Sequence, residues 1–534
     1  MSKWFLLPCL AGLTVAQTVA PGASQVQPTF RVGTRLVQLD VVVRTDKNVV
    51  RGLTKEDFTV QDKGKTQNIA VFSVTDKNAP PAKLTPLPSN VASNRMNNRG
   101  ETSQSATVIL FDRLNTADPA DQATARTRIL ALLRSLKPSD KVAFYSLYDN
   151  ITVVQEFMDT AEQLSQAATR LSAQAAGGAA GDPLQTALRD ALTPTQPLDP
   201  TTRVRITSTA FRSIARRLSG VPGRKNLLWL TSSVPLTYGS GTERRSNDEG
   251  EVATFARILS EANIALYAVD VRGAGSSFSD APRDTQVEGG LMPGAGKGSV
   301  NQVASQSANT LSGTQGMQVI AEETGGKAYI NVNDVSIPLR EVLDFAETSY
   351  TLGFYVDDKA LDGKVHDLSV KIAKKPETNG AKVYARKSYL AASVQSAAQQ
   401  QQRVTMTELA AEQLDATLIG VMAAALPDPS KPGLHVVQVR VSASDLQFER
   451  RGDKWIASFD LGLSIETGGR PGDVNVKTIK LPEFTDDQLK QAMIGGLDIN
   501  NTVPSPSQPA RLRIVVQDKV SGAAGSVRIP IGPK

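Results

Sequence analysis

Two rhythms divide this chain. Over residues 30–75 apolar and polar positions alternate. In TRLVQLDVVVRT, Val37, Leu39, Val41 and Val43 fall on one face of a strand. DFTVQDKGKTQNIAVFSV repeats the alternation on either side of a turn at Asp62-Lys63-Gly64. Between these runs LTKED predicts one helical turn, with Thr54 as its cap and Asp57 three residues on. About three strands bury too little surface to stand alone. Residues 79–105, APPAKLTPLPSNVASNRMNNRGETSQS, are rich in Pro, Asn and Ser and read as a flexible linker.

From 106 the period changes. ATVILFD is a continuous apolar run, the signature of a central parallel strand. Asp118 caps a helix that has Pro119 at its first position and buries Ile129, Leu132, Leu133 and Leu136. KVAFYSLY and ITVVQEF follow as strands around a tight turn at Asp149-Asn150. Helical stretches near 160–173 and 205–219 precede the strand NLLWLTSS, and a helix near 250–262 precedes NIALYAVDV. MQVIAEETGG is a helix stopped by glycines, KAYINV a strand and VSIPLREVLDFAE a last helix. Strands alternating with helices predict a doubly wound, Rossmann-like α/β unit over 106–347. Residues 273–312, rich in Gly, Ser, Gln and Asn, read as a long loop inserted in it.

After 348 the strand period returns in YTLGFYV, HDLSVKIAKK and AKVYARKSYL. The economical arrangement pairs residues 348–392 with 30–78 in one β-sandwich, with the α/β unit inserted between them. SVQSAAQQQQ (393–402) is a second linker, and TELAAEQLDATLIGVMAAAL reads as a helix. HVVQVRVSA, WIASFDLGLSIET, ARLRIVVQD and GSVRIPI then complete a second, C-terminal β-sandwich within 403–534.

Composition changes this picture little. A chain of 534 residues exceeds one core, and 40% hydrophobic with 21% charged residues is ordinary for a globular protein. Aromatics make up 5%, so Val, Leu, Ile and Ala must fill the cores. The net charge of +6 is spread among acids with no Lys/Arg block, which argues against nucleic-acid binding. The N-terminus, MSKWFLLPCLAGLTVAQTVAPGAS, reads as a secretory signal peptide over 1–16, with Lys3 before an apolar run and a small-residue cleavage site. Cys9, the chain's single cysteine, lies inside it, so the exported protein would carry no thiol and need no disulfide. The expected location is secreted, periplasmic or cell-envelope. No other segment is long and apolar enough for an integral membrane helix.

The phrases LVQLDVVVRTDKNVVRGLTKEDFTVQDKGKTQNI, VILFDRLNT, GRKNLLWLTSSVP, ANIALYAVDVRG, IAEETGGKAYIN and YTLGFYV occur in that order. In this the chain resembles secreted bacterial proteins related to the von Willebrand factor type A domain, from about residue 30 to 392 and more weakly beyond. The resemblance implies a divalent cation, such as Mg²⁺, at the C-terminal edge of the sheet, held by Asp-x-Ser-x-Ser, a loop Thr and a later Asp. Asp112 and Thr116 match the first and third positions of that pattern. Leu114 stands where a Ser is required, Thr186 matches the loop Thr, and Ser232 replaces the later Asp. Asp270 ends a strand on the same edge and could compensate, as could Asp118. The metal site is therefore either functional through such substitutes or degenerate.

Other chemistry lacks its parts. His366 and His435 have no Cys or His near them in sequence and read as sheet-edge or surface residues. There is no Gly-x-Ser-x-Gly elbow. GAGKGS (294–299) lacks the spacing and the strand–helix context of a phosphate loop. The acid pairs Glu322/Glu323 and Asp357/Asp358 read as solvated surface. The sequence thus points to an exported, non-enzymatic binding or adhesion protein that takes a protein or cell-surface ligand. The alternatives are a structural or assembly subunit of an envelope complex with no metal dependence and, with least to support it, an enzyme with its site in the 273–312 loop.

Overall fold

The computed structural model describes residues 34–76, 87–95, 105–157, 161–173, 183–236, 242–273, 313–391 and 404–533, apart from a few positions inside these spans. The segments expected to be a signal peptide (1–16), a linker (393–402) and, for nearly all its length, a loop (273–312, with GAGKGS) lie outside the described residues.

The fold is mixed α/β with several sheets. Its centre is a six-stranded sheet in the order Lys327–Tyr329, Ile264–Asp270, Arg224–Thr231, Ser105–Asp112, Val142–Leu147, Ile151–Gln155. All neighbours are parallel except the last pair, a hairpin closed at Asp149-Asn150. The strand order reverses beside Ser105–Asp112, the switch point at which doubly wound sheets open a crevice at their carboxyl ends.

The inner strands are buried on both faces because helices cover both. Ile109 and Phe111 pack with Ile129, Leu133, Leu164 and Leu339 on one side. Val108, Leu110 and Trp229 pack with Phe211, Phe255 and Ile320 on the other. Each such side chain contributes about 1.5–3 kcal/mol when fully buried. Asp118 caps the helix Pro119–Arg134 as expected, accepting from Ala120 N and Asp121 N. After the 313–323 helix, Gly325 has φ +77°, and a Cβ on Gly326 would lie 1.8 Å from the Leu266 carbonyl oxygen. The two glycines thus allow the chain to turn back against the sheet.

Thr34–Arg44 pairs antiparallel with Thr348–Asp357, from Thr34 opposite Asp357 to Val41 opposite Tyr350. Residues on either side of the α/β unit therefore share a sheet, which Lys382–Tyr384 and Val71–Asp76 complete. A second sheet runs Ser388–Leu390, Val365–Ile372, Phe58–Asp62, Lys65–Gln67, and the two share one apolar cluster around Leu39, Val60, Tyr350 and Phe354. The predicted turn is formed with Lys63 at φ 47° and Gly64 at φ 77°. Thr54 and Asp57 close a capping box around Lys55–Asp57. Arg224, 2% exposed, ties this region to the α/β unit by donating to the carbonyls of Asp40 and Gly325 and to the Tyr267 hydroxyl.

The C-terminal region also holds two sheets around one cluster that includes Val439, Phe459 and Ile514. Two expectations are corrected here. TELAAEQLDATLIGVMAAAL is not one helix: the helix covers Met406–Ala411, and Val421–Pro427 is a strand beside Leu434–Val441. An apolar run such as VMAAAL suits a buried helix or strand equally, and here the tertiary partner decides. Nor is 79–105 wholly linker, because Val91–Ser93 forms an edge strand against Met422–Ala424. Beside it Asn94, 2% exposed, donates to the carbonyls of Ala416 and Ile419 and accepts from Val421 N. Arg95 ion-pairs with Asp445 and donates to the carbonyl of Gly220, at the end of the helix Pro200–Ser219.

The histidines are a third correction. His366 and His435 are each 4% exposed and lie on interior strands of their sheets, neither at an edge nor on the surface. Local sequence places them on strands but not within a sheet, whose order is set by distant partners.

Candidate functional site at the carboxyl edge of the central sheet

Asp112 ends the central strand at the carboxyl edge and is fully buried. Three N–H groups reach its carboxylate. Asn115 N donates to Oδ1 at 3.0 Å, while Asn115 Nδ2 at 2.6 Å and Trp229 Nε1 at 2.9 Å donate to Oδ2. The Asn115 amide also donates to Thr207 Oγ1 at 2.9 Å, so a helix on one face joins the cluster. Thr116, also fully buried, turns its hydroxyl back to the Asp112 carbonyl at 2.8 Å. Burial raises the Asp112 carboxyl to about 6, against the opposing pull of its hydrogen bonds and the Arg203 charge.

None of the other expected residues hydrogen-bonds to the Asp112 side chain. Thr186 sits on the exposed side of the helix Pro183–Ala191, not in a loop. Ser232 is 5% exposed, and its hydroxyl makes no hydrogen bond of ordinary geometry. Asp270 is buried and engaged by Arg272, whose main-chain N–H and Nε lie 3.0 Å from Oδ1 and whose Nη2 lies 2.9 Å from Oδ2. Asp118 is occupied as a helix cap. Asp121, one turn into that helix, is raised to about 6 by burial, with Asp118 and Asp270 adding to the rise and Arg272 opposing it.

Mg²⁺ needs several oxygens converging on one point. Here both Asp112 oxygens face N–H groups, Leu114 is packed in the core and supplies none, and Asp270 already holds a guanidinium. Among the described residues no group of three or more His, Cys, Asp or Glu side chains is placed to hold a metal. As arranged, each Asp112 carboxylate oxygen already accepts at least one N–H hydrogen bond.

Asn115, Trp229, Thr207 and Arg272 were not anticipated from the sequence. Two of them carried a signal. A buried indole N–H needs an acceptor, and Trp229 lies near the carboxyl end of an apolar strand. An Asp followed three residues later by a polar side chain is a turn motif as well as part of a cation pattern.

No family model and no curated protein matches the chain. Among solved structures, a von Willebrand factor type A protein from Catenulispora acidiphila is similar over 88% of this chain and 74% of its own, at 10% identity and TM-score 0.23. The ArnB paralog VWA2 from Sulfolobus acidocaldarius is similar over 90% and 76%, at 9% identity and TM-score 0.20. An aerotolerance-related membrane protein from Bacteroides fragilis covers 46% of this chain and 98% of its own, at 13% identity and TM-score 0.25. Likenesses this loose carry no functional argument. Among the described residues no helix is long and apolar enough to cross a membrane.

Proposed function

We propose that this is an exported, non-enzymatic binding protein of the cell envelope with a type A-like α/β unit. The carboxyl edge of its central sheet meets a protein or surface ligand without help from a cation. The supporting observation is the Asp112 carboxylate, whose oxygens are already taken by the chain's own N–H groups. Where a cation would shape the edge in a metal-dependent domain, Asn115 and Trp229 shape it here. The paired sheets on either side are read as β-sandwiches that act as spacers.

A second reading, assembly through the C-terminal sheets, draws on Ile494, Val476 and Met493. These apolar side chains are exposed on that region, with Ile494 at 88%. Photo-crosslinking in cells separates the two. Crosslinkers at Arg113 and Asp149, on the carboxyl-edge loops, are expected to capture a partner. Crosslinkers at Val476 and Ile494 are expected to stay silent. Capture at the C-terminal positions alone would replace the first reading with the second.

A further inference from the structure

His366 lies in the Val365–Ile372 strand, between Phe58–Asp62 and Ser388–Leu390. Each ring nitrogen faces a carboxylate: Nδ1 is 3.0 Å from Asp62 Oδ1, and Nε2 is 3.0 Å from Asp362 Oδ1. Tyr389 donates its hydroxyl to Asp62 Oδ2 at 2.8 Å and lies 3.2 Å from Nδ1. From the opposite side Lys63 Nζ reaches Asp362 Oδ2 at 3.1 Å, and the main-chain N–H of Lys364 reaches Asp362 Oδ1 at 3.0 Å. By contrast, His435 has a hydroxyl partner, Ser505, 2.9 Å from Nδ1.

A neutral imidazole has one N–H and one lone pair. With the proton on Nδ1, the Nε2 lone pair would face an Asp362 oxygen at hydrogen-bond distance. With the proton on Nε2, the Nδ1 lone pair would face Asp62, and relief would require Tyr389 to give up its bond to that carboxylate. The imidazolium alone donates on both sides.

We propose that His366 is a proton-operated fastener. Its imidazolium ties the loop at 360–364, through Asp362, to the Asp62 end of the neighbouring strand. Loss of the proton releases Asp362, whose side chain is 36% exposed and can turn to water. The charged and titratable groups facing the ring are Asp62 from one strand, Tyr389 from the other and Asp362 from the loop, with Lys63 holding Asp362 from the turn. Val365 and Tyr389 also line a groove of about 680 Å³, together with Val252 and Val319. The tie is made when both ring nitrogens carry hydrogen and is broken when either loses it.

Two measurements on the full exported chain test this. Spectra of ¹⁵N-histidine, with His435→Gln to assign the two rings, should show both His366 nitrogens protonated at acid pH. A ring with a single protonated nitrogen at pH 5.5 would overturn the proposal. Asp362→Asn supplies an amide N–H that a neutral ring can accept, so it should remove the pH dependence. Between pH 5.5 and 8.5 the wild-type unfolding midpoint should fall by about 1 °C relative to this variant, given a chain of 534 residues. Parallel curves would equally overturn it.

Discussion

Asp112→Asn is the most informative substitution at the carboxyl edge, because pH then reads out what the carboxylate contributes. The native side chain has no exposure, and its carboxyl is raised from 3.8 to about 6, chiefly by burial. In the unfolded chain the group ionises near its ordinary value. Between those two values the folded state therefore holds more protons, and stability falls as pH rises. The span carries a cost of roughly 3 kcal/mol, complete above pH 6 and absent below about pH 4. Asparagine does not titrate, but its amide N–H groups clash with some of the donors from Asn115 and Trp229. An unsatisfied buried donor costs about 1–3 kcal/mol at every pH. The expected result is a variant less stable than wild type at pH 4, with the gap closing by roughly 3 kcal/mol towards pH 7. Urea unfolding at half-unit pH steps measures this, and the Asp121 titration, present in both proteins, cancels in the difference. A gap that stays flat, or widens with pH, would refute the account of a carboxylate strained by burial. So would a wild-type midpoint that climbs with millimolar Mg²⁺ while the variant's does not, since that pattern needs a cation on Asp112.

Other perturbations separate local contributions. Trp229→Phe keeps most of the packing but removes the N–H at 2.9 Å from Asp112, and should cost about 1–2 kcal/mol in chemical unfolding. Trp229→Ala opens a cavity and should cost about 3–5 kcal/mol in the same assay. Asn94→Ala strips two carbonyls and one N–H of their buried partner and should lower stability by at least about 2 kcal/mol, with faster amide exchange at Val421 as the local readout. Gly326→Ala places a methyl 1.8 Å from the Leu266 carbonyl oxygen, and should sharply reduce the yield of folded, soluble protein on expression.

The sequence carried the α/β unit well because its strands are long apolar runs and its helices have caps. Asp118-Pro119 and Gly325-Gly326 fixed boundaries that the structure keeps. What local pattern could not supply was partnership. Val421–Pro427 reads as helix until Leu434–Val441 lies beside it, and Val91–Ser93 reads as linker until it meets the same strand from the other side. At the candidate site the motif located Asp112 and Thr116 at the carboxyl edge of the sheet. Beyond Asn115, which the turn spacing places beside Asp112, their chemistry depends on Trp229 and Thr207, from two distant stretches of chain that no spacing rule could connect. Thr186 matched the loop Thr in type and context, and it lies on an exposed helical face.

The short strand at Val91–Ser93 has a consequence for synthesis. Its hydrogen-bonding partners, Met422–Ala424, are made more than 300 residues later, so this edge waits unpaired while most of the chain emerges. A chain released early would keep its apolar α/β centre but leave Asn94 and Arg95 without their far-off acceptors. Interrupted products would then differ from finished ones by an open strand and a loose segment accessible to proteases. Length is thus checked by the fold, because only a chain translated past Ala424 can pair Val91–Ser93.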